Sequence, residues 1–398
     1  MSHTWRPPVA PASVFLSPGV VIGGNNSALE LASVLATQLG VKDGPILLAI
    51  DDAVKSAGLI APVEAALQDA GYSVHLRGGF GAEPTDEIVN AVANEARSNN
   101  VQAVIGVGGG SVLDSAKLVA LLLKNEGLCA DWTGVVEPAN SVAPLVLVPT
   151  TCGTGAEATR IAMVTIGGNK RASSCSLYVP RVAVLDPVLV SSLPGKVVAA
   201  TGMDALAHAT EALMSTTASP LSAHHSLRAI ELLVDHLEAA SQGDQEALGQ
   251  VLWASHFAGQ ALNAGVVLGH SLAYCLAHAN PMPHGVSCAM ALPYCIAYNQ
   301  NLEPSLAKLI ARALTAGLSE DLQVAAKAVA DLASRMGLPT TLSDAGIGVD
   351  QIPSMAELCI ADYQRPTNPE PMSREPIQSL FGAMMSGDIA HAFSVTAR

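Results

Sequence analysis

Short β-like runs alternate with longer amphipathic ones through the first half of the chain. PILLAID (45–51), YSVHLRG (72–78), VQAVIGVGGG (101–110) and PLVLVPTT (144–151) read as strands. Between them, VKSAGLIAPVEAALQDAG (54–71), TDEIVNAVANEARSNN (85–100) and SVLDSAKLVALLLKN (111–125) read as helices. The first should end at Gly71, and the second should start on Thr85 as its N-cap. This rhythm predicts a mostly parallel sheet with helices on both faces. From Val197 onward the pattern becomes helix after helix. The expected organisation is an α/β unit over 1–195 and an all-helical unit over 196–398. A cleft between two such units is a natural ligand site.

One stretch changes this picture. From Ala247 to Leu302 there is no Asp, Glu, Lys or Arg. A spanning helix needs about 20 predominantly apolar residues in a row. Gln260, Asn263, His270, His278, Asn280 and Pro281 interrupt the stretch. It therefore predicts a pair of helices buried in the helical unit, not a membrane span.

Composition agrees with a large interior. Half of the 398 residues are hydrophobic and only 14% are charged, against the usual quarter, so two domains with sizeable cores are expected. The net charge of −14 and the lack of any Lys/Arg run speak against nucleic acid as a partner. The seven cysteines (Cys129, Cys152, Cys175, Cys275, Cys288, Cys295 and Cys359) are odd in number and form no CxxC pair. That argues for a reducing compartment, and so for the cytoplasm. The N-terminal residues lack a charged segment followed by an apolar one, so no signal peptide is expected.

Two glycine-rich turns carry candidate nucleotide chemistry. VIGVGGGSVLDSAK sets Gly108, Gly109 and Gly110 between a strand and a helix. Glycine lets the backbone approach a ligand closely, and a helix N-terminus presents N–H groups to phosphate. Ser111 stands where the strict dinucleotide fingerprint has a third Gly. Ser111 and Asp114 join these glycines as candidate cofactor contacts, although the pair also fits a capping box, which would make Asp114 structural rather than a ligand. VPTTCGTGAEAT (148–159) adds Thr150, Thr151 and Thr154 as hydroxyl donors, and Thr154 with Glu157 fits a second capping box. Two such turns at strand ends suggest one ligand across both. Asp51, at the end of PILLAID, is placed either to bind a ribose hydroxyl pair, favouring NAD(H) over NADP(H), or simply to cap a helix. Lys170 is a further candidate contact.

A candidate metal site lies in the helical half. In GMDALAHATEAL, Asp204 and His208 are four apart and share a helix face. Such a pair alone is usually only hydrogen-bonded. The charge-free stretch adds His270, Tyr274 and His278 at successive helical turns, and His284 in a Pro-His-Gly turn. Buried polar groups need partners, and an ion would supply one. Asp with three His suits Fe²⁺ or Zn²⁺, and sequence does not separate the two.

These motifs resemble the iron-containing (group III) alcohol dehydrogenases over nearly the whole chain. GGGSVLDSAK resembles GGGSxxDxAK. PTTCGTGAEAT is similar to PTTxGTGSExT, with Ala156 for the usual Ser. LDPVLVSSLP and GMDALAHATEAL follow DPxLxxxLP and GMDAxxHxxEA, and HSLAYCLAHANPMPHG is similar to HxxAHxLGxxxxxPHG. The resemblance implies a dehydroquinate synthase-like fold with an α/β dinucleotide-binding domain and an all-α domain. It implies an ion held by Asp204, His208, His270 and His284, a homodimer or larger assembly, and Asp51 as the NAD-preferring acid. Tyr274 stands where many members have a second active-site His, and Ala277 and His278 replace the usual Gly and its neighbour.

The expected reaction is hydride transfer between a nicotinamide and a small alcohol or aldehyde, with the ion as Lewis acid and Tyr274 or His278 relaying the proton. The rivals are a lyase or hydroxyacid–oxoacid transhydrogenase on the same fold, and a non-catalytic metal and nucleotide binder. The lack of Lys and Arg over 247–302 speaks against a substrate with several acidic groups.

Overall fold

A computed structural model describes residues 14–395. They divide into an α/β unit, Leu16–Leu193, and a helical unit from Pro194 onward that also takes in Val14 and Phe15. The Phe15 ring lies 5.0 Å from that of His225, within the helical unit.

The α/β unit holds nine strands: β1 (Val20–Gly23), β2 (Gly44–Ile50), β3 (Tyr72–Arg77), β4 (Ala103–Gly108), β5 (Gly134–Val135), β6 (Leu145–Pro149), β7 (Ile161–Ile166), β8 (Asn169–Ser174) and β9 (Val182–Leu185). Six form one wholly parallel sheet in the order β1-β9-β6-β4-β2-β3. Its helices are α1 (Leu31–Gln38), α2 (Asp52–Ser56), α3 (Ala61–Asp69), α4 (Asp86–Ser98), α5 (Gly110–Leu122) and α6 (Pro187–Val190).

Alternate residues of each central strand enter different cores. Ile46, Leu48, Ile50, Ile105 and Val107 join the core containing Leu31, Val63 and Leu67, while Leu47, Ala49, Val104 and Leu147 join the one containing Val89, Val92 and Leu113. A sheet covered on both faces needs apolar residues at every position, which is why these strands read as unbroken runs.

Several expectations shift. The helix expected over 54–71 is two helices, because Gly58 adopts φ +74° and breaks it. Thr85 does cap α4, its hydroxyl accepting from the Ile88 N–H at 3.4 Å. Strands β1, β5, β7, β8 and β9 were not foreseen. β5, β8 and β7 form a small second sheet, and β7 and β8 are an antiparallel hairpin. Its two-residue turn is Gly167–Gly168, both with positive φ, which matches the right-handed twist of the strands.

The helical unit runs α7 (Gly195–Met214), α8 (Pro220–Ser241), α9 (Gln245–Leu262), α10 (Leu268–Ala279), α11 (His284–Tyr298), α12 (Pro304–Leu314), α13 (Leu322–Arg335), α14 (Ile352–Asp362), α15 (Arg374–Ser386) and α16 (Ile389–Ala392), with no strand among its described residues. The charge-free stretch supplies three helices, α9, α10 and α11, not the expected pair. No described helix is long and apolar enough to cross a membrane. All seven cysteines are buried and free.

Candidate metal centre and nucleotide-binding turns

Helix α7 is built on alanine, the best helix former, and it places Asp204, His208 and Glu211 on one stripe at i, i+4 and i+7. Helix α10 meets that stripe. Its first four N–H groups have no partner within the helix, and side chains take up all of them. Val267 and His270 donate to Glu211 Oε2 at 2.8 and 3.2 Å, Leu268 donates to Asn368 Oδ1 at 3.0 Å, and Gly269 donates to Cys295 Sγ at 3.1 Å. The same Glu211 pairs through Oε1 with His270 Nδ1 at 2.6 Å. One buried carboxylate thus fixes both the start of α10 and the His270 ring. Helix α11 approaches α7 so closely that a β-carbon on Gly285 would collide with the Ala200 carbonyl, and this brings in His284 at the first turn.

The four side chains converge on one oxygen. Asp204 Oδ1 lies 3.6 Å from His208 Nε2, 3.7 Å from His270 Nε2 and 3.7 Å from His284 Nε2. It is buried with no hydrogen-bond partner. Two ligands held at about 2.0–2.2 Å from a tetrahedral ion stand roughly 3.4 Å apart, so these spacings fit ligands around one ion. Asp204, His270, His284 and Cys288 each offer an atom within 4.8 Å of the others. His208 is not in that mutual group, yet its distance to the shared oxygen equals the others and its ring stacks on His270 at 4.7 Å, so it stays a candidate ligand.

Burial alone would raise the Asp204 carboxyl, but the His208, His284 and His270 rings outweigh it and hold the group below the usual carboxylate range. Burial would lower His270, and Glu211 outweighs it to raise that ring. His284 is the open side of the centre: its side chain is 31% exposed, against 3% for His270 and 7% for His208.

The half-buried Tyr274 faces that opening, its ring stacked on His284 at 5.4 Å. Burial pushes its hydroxyl up to about 12. His278, on the last turn of α10, is exposed and makes no ring contact among the described residues, so the structure does not bring it to the centre.

The two glycine turns lie side by side. β4 pairs with β6 so that Gly108 aligns with Pro149, and Thr150 donates its N–H to the Gly108 carbonyl at 2.9 Å. A β-carbon on Gly110 would stand 2.8 Å from Thr154 Cγ2, and one on Gly109 would stand 3.2 Å from Thr151 Cγ2. Asp51 follows β2, the other neighbour of β4, and its N–H donates to the Val107 carbonyl at 3.0 Å. Three candidate segments therefore share the carboxyl edge of the sheet, where open α/β sheets bind ligands.

Two capping boxes do not form. Helix α5 starts at Gly110 with Gly109 as N-cap and no side-chain cap. Asp114 therefore lies a turn further in, accepting from the Met163 N–H at 2.9 Å and pairing with Lys117 at 3.4 Å. Thr154 instead accepts from the Ala156 N–H at 3.3 Å, because left-handed Gly155 separates it from the short turn that follows. Asp51 caps α2 through the Ala53 N–H at 2.8 Å. Lys170 sits on the exposed hairpin, paired with Glu83 at 2.6 Å. Glu211, Cys288 and Arg365 were missed. The first two were findable, since each repeats the helical spacing of a chosen ligand.

A parallel α/β unit with glycine turns at its sheet edge and a helical unit with an Asp/His/His cluster suit a nucleotide-linked, metal-dependent enzyme. Residues 18–187 match the iron-containing alcohol dehydrogenase profile, and 198–385 match its C-terminal counterpart. A long-chain-alcohol dehydrogenase 1 from Geobacillus thermodenitrificans is 34% identical, covering 88% of this chain and 92% of its own. The chain belongs to the iron-containing alcohol dehydrogenase family. Among solved structures, a 1,3-propanediol oxidoreductase superposes with TM-score 0.87 at 30% identity, covering 94% of this chain and all of its own. A sulfoacetaldehyde reductase from Bifidobacterium kashiwanohense in complex with NAD⁺ does so with TM-score 0.85 at 25% identity, covering 95% and 100%.

Proposed function

We propose that this enzyme interconverts a small alcohol and its aldehyde, with NAD(H) as hydride partner, at an ion held by Asp204, His208, His270 and His284. The observation that carries this reading is the buried, unpartnered Asp204 Oδ1 with three imidazole nitrogens at 3.6–3.7 Å. A divalent ion there, Fe²⁺ or Zn²⁺, supplies Lewis acidity toward a hydroxyl or carbonyl oxygen.

The chain's own groups do the rest. Glu211 accepts the Nδ1–H of His270, which leaves Nε2 unprotonated and free to hold the ion beside the Asp204 oxygen. Tyr274 keeps its proton through neutral pH and stands on the open His284 side, which favours it over His278 as proton donor. Gly108 ends β4, and Gly109, Gly110 and Ser111 open α5, whose first N–H groups have no side-chain cap and suit a phosphate. Thr150, Thr151 and Thr154 flank them, and Asp51 takes the ribose hydroxyls, favouring NAD(H) over NADP(H). Asp114 and Lys170 drop out of this set, being engaged with Lys117 and Glu83. Homo-oligomeric assembly and a cytoplasmic location belong to the same reading, the second supported by seven free buried thiols.

The test is metal analysis of the purified protein with NADH oxidation over short aldehydes. His270→Ala and His284→Ala should lose bound metal and turnover together. Full turnover in metal-free protein overturns the proposal. Stoichiometric NADH consumption separates it from a lyase, a transhydrogenase and a non-catalytic binder.

A further inference from the structure

The open side of the metal centre carries a cation. Arg365 lies on the segment between α14 and α15, outside the charge-free stretch, and its guanidinium carbon is 5.7 Å from the Tyr274 ring centre. Tyr363, on the same segment, lies 5.1 Å from the same ring. With Tyr274 5.4 Å from the His284 ring, those steps of 5.7 and 5.4 Å keep the guanidinium within about 11 Å of the most exposed ligand. Arg365 Nε is shut from solvent without a hydrogen-bond partner, and the side chain forms no ion pair among the described residues. A guanidinium held over an aromatic face and left unpaired is a ready receptor for an oxyanion, which it binds through two parallel N–H donors.

We propose that Arg365 selects aldehydes whose far end carries a carboxylate or sulfonate, a few carbons from the reacting carbonyl. The inference rests on the oxidoreductase reading above and sharpens its substrate class. It also removes the objection to acidic substrates drawn from the charge-free stretch, because the cation comes from elsewhere in the chain.

The experiment compares the metal-loaded wild type with Arg365→Gln and Arg365→Lys. The substrates are 4-oxobutanoate, 2-oxoethanesulfonate and the neutral butanal. Wild type should favour an anionic aldehyde, and the two anions distinguish carboxylate from sulfonate. In Arg365→Gln the anionic-to-neutral ratio of kcat/KM should fall about 10- to 100-fold, the loss of one charge-assisted hydrogen bond. Arg365→Lys should keep part of it, since Lys retains the charge but not the fork. A second readout needs no turnover: 4-hydroxybutanoate should raise the Tm of wild type more than 1-butanol does, and Arg365→Gln should abolish the difference. A wild-type preference for butanal, or a ratio unmoved by Arg365→Gln, overturns the inference while leaving the oxidoreductase standing. No turnover of any aldehyde by metal-loaded protein that binds NADH overturns the oxidoreductase reading itself, and the substrate inference with it.

Discussion

In the α/β unit, Lys117 is wholly buried, and its ammonium donates to Asp114, to the Thr159 hydroxyl at 3.1 Å and to the Ile161 carbonyl at 2.6 Å. In the helical unit, Asp204 is 3% exposed, and its Oδ1 bonds nothing. Burial works against charge at both sites; it prevails at the first, pushing Lys117 down and Asp114 up, and is outweighed at Asp204 by the three His rings. Only the first meets its polar atoms with hydrogen bonds from the protein itself, tying α5 to β7 as it does so. A closed buried network holds a fold together, whereas an open one points to something that must arrive from outside.

Removing the central charge from each network should break the comparison most sharply. Asp204→Asn should leave metal content near zero and cut turnover about a thousandfold or more. The metal-free variant should melt only a few degrees below metal-free wild type, since Asn keeps the shape and loses only the attraction of imidazole nitrogens 3.6–3.7 Å away. Lys117→Met should do the reverse, costing about 3–5 kcal/mol by stranding Asp114. At about 2–4 °C per kcal/mol, its Tm should fall by roughly 10 °C, while folded protein still binds metal. Thermal melts with metal analysis on both variants settle the contrast. An Asp204→Asn protein that melts far below metal-free wild type would make that carboxylate structural.

Glu211 tests whether the open centre is itself held by a closed one. Its two oxygens serve three N–H groups of α10, one of them on the His270 ring. In Glu211→Gln an amide NH₂ takes the place of one oxygen. If it turns toward His270 Nδ1, the ring must carry its proton on Nε2 and ceases to be a ligand. Metal affinity should fall about 10- to 100-fold in competition with a chelator. An unchanged affinity would reduce Glu211 to a helix cap.

How much of this was legible in the sequence follows from where periodicity operates. The ligands on α7, α10 and α11 stand at helical spacing in stretches rich in alanine or free of charge, so pattern alone nearly assembled them. Cys288 repeats the i, i+4 step from His284, and Glu211 falls at i+7 from Asp204, so both were within reach. The β7–β8 hairpin was hidden because β8, NKRASS, is mostly exposed and polar, although Gly167–Gly168 is a hairpin signal. The Ser111–Asp114 capping box was misread because α5 begins two residues earlier than a Ser111 cap requires. Arg365 sits on an aperiodic segment. Only tertiary structure places it over Tyr274.

Asp51 lies between the two extremes and gives the smallest expected effect. Its Oδ1 accepts the Ala53 N–H, while Oδ2 makes no hydrogen bond with a described residue. The cap and the free oxygen are separable chemically. Asn caps a helix about as well as Asp, so Asp51→Asn should change stability by less than about 1 kcal/mol. It removes the negative charge that opposes a 2′-phosphate. The NADH-to-NADPH ratio of kcat/KM should therefore fall about tenfold, near 1.4 kcal/mol. Asp51→Ala should lower the ratio likewise and also cost about 0.5–2 kcal/mol through the lost cap. If Asp51→Asn leaves the ratio untouched while Asp51→Ala lowers only the Tm, both oxygens belong to the fold, and Asp51 joins Lys117 and Asp114 on the closed side.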